Sequence, residues 1–160
     1  TAVVGWVLEI NPFDQPNVQE AKDNTSRVLK EGAGDIDPGS LDEMLAGIGS
    51  PRYVAILGYV PYSSETDKAV ARFRAKLIEE HGVATTFGYG PRYLHSTGQF
   101  HKGGPSVGAF IEIVDEPEID LEVPGEPYTF AKLIRAQADG DLQTLRSHDL
   151  DAVRVGKEIL

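Results

Sequence analysis

The chain contains no cysteine among its 160 residues. That absence excludes disulfides, thiol nucleophiles and thiolate-ligated metals, and it fits a reducing cytoplasm. Cations are scarce as well: 15 lysines and arginines face 25 aspartates and glutamates, a net charge of −10. Such a balance argues against nucleic acid and against an anionic membrane as partners, because both call for a basic face. It leaves room for a small anionic ligand, for which a few local cations suffice. No apolar run reaches the length of a membrane span, and no stretch has the pattern of a signal peptide.

What is present begins with an apolar opening, Ala2 to Ile10, interrupted only by Gly5 and Glu9. A segment this apolar calls for a covering neighbour. The expectation is therefore a chain cut from a larger protein and carrying part of its active site. Strand and helix both fit these residues, since periodicity does not separate them. Asn11-Pro12 ends the element, because a residue before proline is pushed out of helical geometry.

The next stretch reads Asn-Pro-Phe-Asp-Gln-Pro-Asn-Val-Gln-Glu-Ala-Lys from Asn11 to Lys22. Asp14 suits a helix cap and Pro16 a first turn. Gln15 then stands at the helix start, where free N–H groups and the dipole favour anions. Lys22 follows Gln15 by seven residues and Val18 by four, so the three share one face. An amide, a helix start and a long cation on one side make a cradle for a sugar phosphate. A capped surface helix with a solvated lysine has the same spacing.

Further along, the helix from Gln15 runs to about Lys30. Glu31–Gly39 has turn and linker chemistry and is the best boundary candidate. Ser40 with Glu43 forms a capping box for a short helix, which Gly49, Ser50 and Pro51 close. The division expected is residues 1–50 and 51–160. After residue 50 the order is a strand at Tyr53–Val60, a helix at Glu65–Glu80 capped by Ser63 or Ser64, and a strand at Val83–Phe87. A long loop follows at Gly88–Pro105, then a strand at Val107–Val114 and an acidic, solvated connection at Asp115–Pro127. A helix capped by Thr129 and broken at Gly140 leads to a last strand at Ala152–Val155, extendable to Ile159. The fold class is mixed α/β. The β-α-β-β-α-β order is that of a ferredoxin-like split unit, and an extension of a larger mixed sheet gives the same order.

The long loop gathers Arg92, His95, Ser96, Thr97, Gln99, His101 and Lys102 among glycines. Glycines let backbone amides approach an anion, and hydroxyls with Arg or Lys complete such a site. A phosphosugar site, an interdomain or subunit contact, and an unliganded surface loop all fit. His95 and His101 have no carboxylate close by in sequence, so metal ligation is not expected.

Phe13-Asp14-Gln15, Val18 and Lys22 resemble the Phe-Asp-Gln-x-x-Val-x-x-x-Lys signature of phosphoglucose isomerases. The 88–105 segment and Pro124-Gly-Glu-Pro-Tyr128 resemble the C-terminal end of bifunctional transaldolase/phosphoglucose isomerases. The resemblance implies that residues 1–50 are the helical end of a sugar-isomerase (SIS) domain, with 51–160 a C-terminal α/β domain. It implies interconversion of glucose 6-phosphate and fructose 6-phosphate through a cis-enediol, in the cytoplasm, with no metal or cofactor. By resemblance Lys22 is the catalytic cation near the ring oxygen, and Gln15 lines the phosphosugar pocket. Arg92, His95 and Lys102 are the further substrate-binding candidates. The partners implied are the phosphosugar, the upstream part of the polypeptide and a second copy in a homodimer. The family's glutamate base, ring-opening histidine and phosphate loop lie upstream of the motif, so this piece alone is expected to be inactive. Asn17 stands where the family has a glycine. The alternatives are a non-catalytic phosphosugar-binding or docking module, and an oligomerisation role for residues 52–160.

Overall fold

The computed structural model describes residues 1–14 and 16–160. Its elements are α1 (Ala2–Leu8), α2 (Pro16–Glu31), α3 (Leu41–Ala46), β1 (Tyr53–Tyr59), α4 (Ser64–His81), β2 (Ala84–Tyr89), α5 (Gly98–Gly103), β3 (Gly108–Val114), α6 (Phe130–Ser147) and β4 (Asp151–Gly156). Short 3-10 turns lie at Arg92–His95 and Lys157–Ile159.

Helix starts follow local chemistry. Ser40 Oγ accepts from the Glu43 amide, Ser63 Oγ from Thr66 at 3.0 Å, and Thr129 Oγ1 from Lys132. Each satisfies a donor that a helix start leaves orphaned. Gly82 closes α4 in the left-handed conformation at φ 64°, which glycine adopts without a Cβ clash.

The strands form one sheet in the order β2-β1-β3-β4, and every pairing is parallel. β1 and β3 are buried on both faces, so they read as nearly unbroken apolar runs. Val54 and Ile56 of β1 face Met44 of α3 and Phe73 and Leu77 of α4. Ala55 and Leu57 face the other way, toward Ala138, Leu142 and Leu145 of α6. Each large side chain so buried contributes about 1.5–3 kcal/mol. α3, which the sequence placed in the first segment, thus shares a core with β1, β3 and β4. α2 lies outside α6 and is tied to it by Asn24 Nδ2, which donates to Thr144 Oγ1 at 2.7 Å, and by Arg27, which donates to Gln143. No helix among the described residues is long and apolar enough to cross a membrane.

Three expectations are corrected. A ferredoxin-like unit has an antiparallel sheet, whereas this one is wholly parallel. The cause is the 88–105 segment, which folds into the 3-10 turn and α5. That connection is long enough to carry the chain back across β1 to a parallel partner. Gly140 does not break α6, which continues to Ser147. There the missing side chain lets α2 come close, since a Cβ would lie 3.0 Å from the Thr25 amide nitrogen. The last strand, Asp151–Gly156, contains the expected Ala152–Val155, and only its extension to Ile159 is corrected, since Lys157–Ile159 turns instead.

Candidate functional site

Lys22 sits on α2 with its side chain exposed, and among the described residues it makes no ion pair. Val18 is half-buried and Ala21 is buried against the domain. Gln15 lies outside the described residues. Asn17 is buried and joins α2 to α5. Its amide donates to Gln99 Oε1 at 3.3 Å, and Gln99 Nε2 donates to Asn17 Oδ1 at 2.7 Å. Gly103 makes room for this pair, since a Cβ there would lie 2.5 Å from Gln99 Nε2. Asn17 thus joins α2 to α5, as Asn24 and Arg27 join it to α6. Glu20 and His148 meet beside it at 2.9 Å.

The 88–105 segment is not a single open cradle. Arg92 and His95 are exposed and border an open depression of about 540 Å3 with Asp67 and Tyr89. The Arg92 guanidinium lies 6.0 Å from the centre of the Tyr89 ring, and Tyr89 Oη donates to Asp67 at 2.6 Å. His101 and Lys102 turn inward. His101 Nδ1 pairs with Tyr53 Oη at 2.8 Å, and burial, with the Lys102 charge, lowers its imidazole to about 4. Lys102 donates to Asp141, which also accepts from Tyr93 Oη, and all three side chains are buried. Burial pushes the Asp141 carboxyl up and the Lys102 ammonium down, each toward its neutral form. The expectation that Lys102 is offered to a phosphate gives way to an internal pair. Lys22 borders neither this depression nor the larger crevice described next.

That crevice, of about 660 Å3, opens at the C-terminal ends of β1 and β3. Tyr59 and Val114 come from the strands, Val60 from just past the end of β1, and Phe130, Lys132 and Arg135 from α6. The 115–121 connection forms one wall, so a stretch the sequence presents as merely solvated borders this crevice. Beside it runs a charge chain, buried except at Arg135. Arg154 Nε donates to Glu112 Oε2 at 2.5 Å and Arg154 Nη1 to Asp139 Oδ1 at 2.6 Å, while Arg135 Nε donates to Asp139 Oδ1 at 3.2 Å. Burial raises the Glu112 carboxyl to about 7 against the downward pull of Arg154. Glu112 Oε1 and Arg154 Nη2 are buried without a hydrogen-bond partner, and the buried Tyr59 Oη lies beside the Asp141 carboxyl. The sequence does carry a signal for this chain: Glu112 and Arg154 are single charges of opposite sign inside apolar strands. Among the described residues no group of three histidines, aspartates or glutamates is placed to hold a metal.

No family model matches the chain, and no curated protein matches it. Among solved structures it is similar to the crystal structure of a hypothetical protein from Thermus thermophilus, at a TM-score of 0.62 and 15% identity. The match covers 88% of this chain and 37% of that one, so the chain spans well under half of that protein's length. At this identity the likeness is one of fold: a mixed α/β chain built on a parallel four-stranded sheet.

Proposed function

We propose that the chain is part of a cytoplasmic aldose–ketose isomerase that interconverts glucose 6-phosphate and fructose 6-phosphate, within a longer polypeptide fused to a transaldolase. Lys22 is its contribution to the chemistry. The observation that carries this reading is an exposed lysine, free of ion pairs among the described residues, on a helix braced by Asn17–Gln99 and Asn24–Thr144. A cation held on a rigid element costs little reorganisation when charge develops on a substrate oxygen. In the reaction a base moves a proton between carbons 1 and 2 through a cis-enediol, and Lys22 stabilises the oxyanion at carbon 1. The base, the ring-opening acid and the phosphate loop belong to the remainder of the polypeptide. The apolar side chains that α1 leaves exposed, Trp6 among them, support a reading in which more of that polypeptide packs here.

A second reading, a non-catalytic phosphosugar-binding or docking module, is favoured by the separation of Lys22 from Arg92 and His95. The test is a coupled fructose 6-phosphate to glucose 6-phosphate assay on the longest polypeptide that carries this chain, with and without Lys22→Ala. Lost turnover supports the first reading, and an unchanged rate leaves the second.

A further inference from the structure

We propose that the crevice at the C-terminal ends of β1 and β3 is a second small-molecule site, separate from Lys22, which takes an organic acid with an apolar or aromatic body.

Its place in the fold is the first argument. β1 is followed by α4 on one face and leads outward to β2, while β3 is followed by α6 on the other face and leads to β4. The connections part between β1 and β3. In open parallel sheets a crevice forms at such a point, beyond the carboxyl ends of the strands, and ligands bind there. The volume of about 660 Å3 is that of an ordinary ligand pocket.

The lining selects the ligand. Val60, Val114, Leu121, Phe130 and Ile134 make the walls apolar. Leu121 and Phe130 stay 64% and 47% exposed at the mouth, an apolar surface that water covers poorly. Lys132 and Arg135 add two cations three residues apart on α6, hence on one side. Lys132 makes no ion pair among the described residues, and Arg135 engages Asp139 through Nε alone. Of the acids at the rim, Asp115 is offset by Lys157 at 3.1 Å, while Asp120 stays anionic and accepts the amides of Leu121 and Ala131, which turns it toward the α6 start. Glu116 remains at the outer edge. In the floor, the buried Tyr59 hydroxyl lies beside the Asp141 carboxyl, so the crevice draws its polar contacts from Lys132 and Arg135.

The same lining disfavours a sugar phosphate. The first amides of α6 are already taken, Phe130 by the Leu121 carbonyl, Ala131 by Asp120 and Lys132 by Thr129, so the helix start offers no cradle for a phosphate. The apolar walls leave a polyol's hydroxyls unpaired. A carboxylate pairing with Arg135 and Lys132, with its body against Phe130 and Leu121, meets neither obstacle.

The experiment titrates the intact chain with 2-naphthoate by calorimetry and ligand-observed NMR, with 2-naphthol and glucose 6-phosphate as comparison probes. Saturable one-site binding of 2-naphthoate is expected, and no glucose 6-phosphate binding in this crevice. Lys132→Gln combined with Arg135→Gln should weaken 2-naphthoate by roughly tenfold or more and leave 2-naphthol unchanged. Phe130→Ala and the crevice-filling Ile134→Trp should each weaken both aromatics, with circular dichroism confirming the fold. Lys22→Ala should change none of these affinities, which separates this site from the isomerase reading. Absence of saturable binding would overturn the proposal. So would equal affinity for acid and alcohol, insensitivity to Phe130→Ala and Ile134→Trp together, or glucose 6-phosphate competing for the site.

Discussion

Glu112 and Arg154 are register partners on β3 and β4, and Arg154 Nε donates to Glu112 Oε2 at 2.5 Å on the α6 face of the sheet. Arg154 also donates to Asp139, so one guanidinium compensates two buried carboxylates. Arg154→Met keeps much of the side-chain volume, strands Glu112 and leaves Asp139 with Arg135 alone. A loss of about 3–5 kcal/mol is expected, since removing one partner leaves buried charge uncompensated. Urea unfolding followed by circular dichroism measures it. A loss within about 0.5 kcal/mol, the range of ordinary surface changes, would contradict the burial assigned to this pair.

Two buried groups set pH dependences of opposite sign. Burial raises Glu112 from 4.5 to about 7, so the folded state holds that proton more tightly than the unfolded chain. The contribution is fully present below 4.5 and is lost as pH rises to about 7. His101 is lowered by burial from 6.5 to about 4, so its contribution is present above 6.5 and is lost as pH falls toward about 4. Glu112→Gln is expected to remove the decline on the rising side, and His101→Gln the decline on the acid side. Unfolding free energies across this span check both, and NMR of the imidazole should show His101 neutral until about 4. Unaltered pH slopes in both variants would refute the assignments.

Asn17 and Gln99 hold the motif helix to α5 through two hydrogen bonds. A double-mutant cycle with Asn17→Ala and Gln99→Ala should give a coupling of about 0.5–1.5 kcal/mol, the net worth of a part-buried hydrogen bond. Chemical denaturation of the four proteins reads the value. Strict additivity would mean that α2 is positioned by its packing on α6 alone.

The starts of α3, α4 and α6 were legible because their signals are local: Ser40, Ser63 and Thr129 each cap the helix they precede. The strand positions were legible because β1 and β3, covered on both faces, are apolar apart from Glu112. The direction of pairing was not. It depends on whether residues 90–107 form a tight turn or a crossover, and Gly90, Gly98, Gly103 and Gly104 favour a loop by local propensity. Packing of Tyr93 and burial of His101 and Lys102 against β1, β3 and α6 overrode that preference. Gly140 misled for a related reason: its role is to admit α2, a long-range contact invisible in its neighbours. Lys22 lies exposed on α2, a placement that a sugar-phosphate cradle and a solvated surface lysine share. The grouping of Arg92, His95 and Lys102 was not legible, because a 3-10 turn followed by a helix sends the first two out and the third in. The crevice needed Val60, Val114 and Phe130 brought together across 70 residues of chain, and no spacing rule reaches that far.

The most direct test of the account is the coupled isomerase assay on the longest polypeptide carrying this chain, comparing native protein with Lys22→Ala. Lys22 is exposed, so its replacement should leave the unfolding transition in place. Turnover should fall by about a hundredfold or more, equivalent to roughly 3 kcal/mol of transition-state stabilisation, with a smaller change in KM. Undiminished turnover in a folded Lys22→Ala protein would contradict the account.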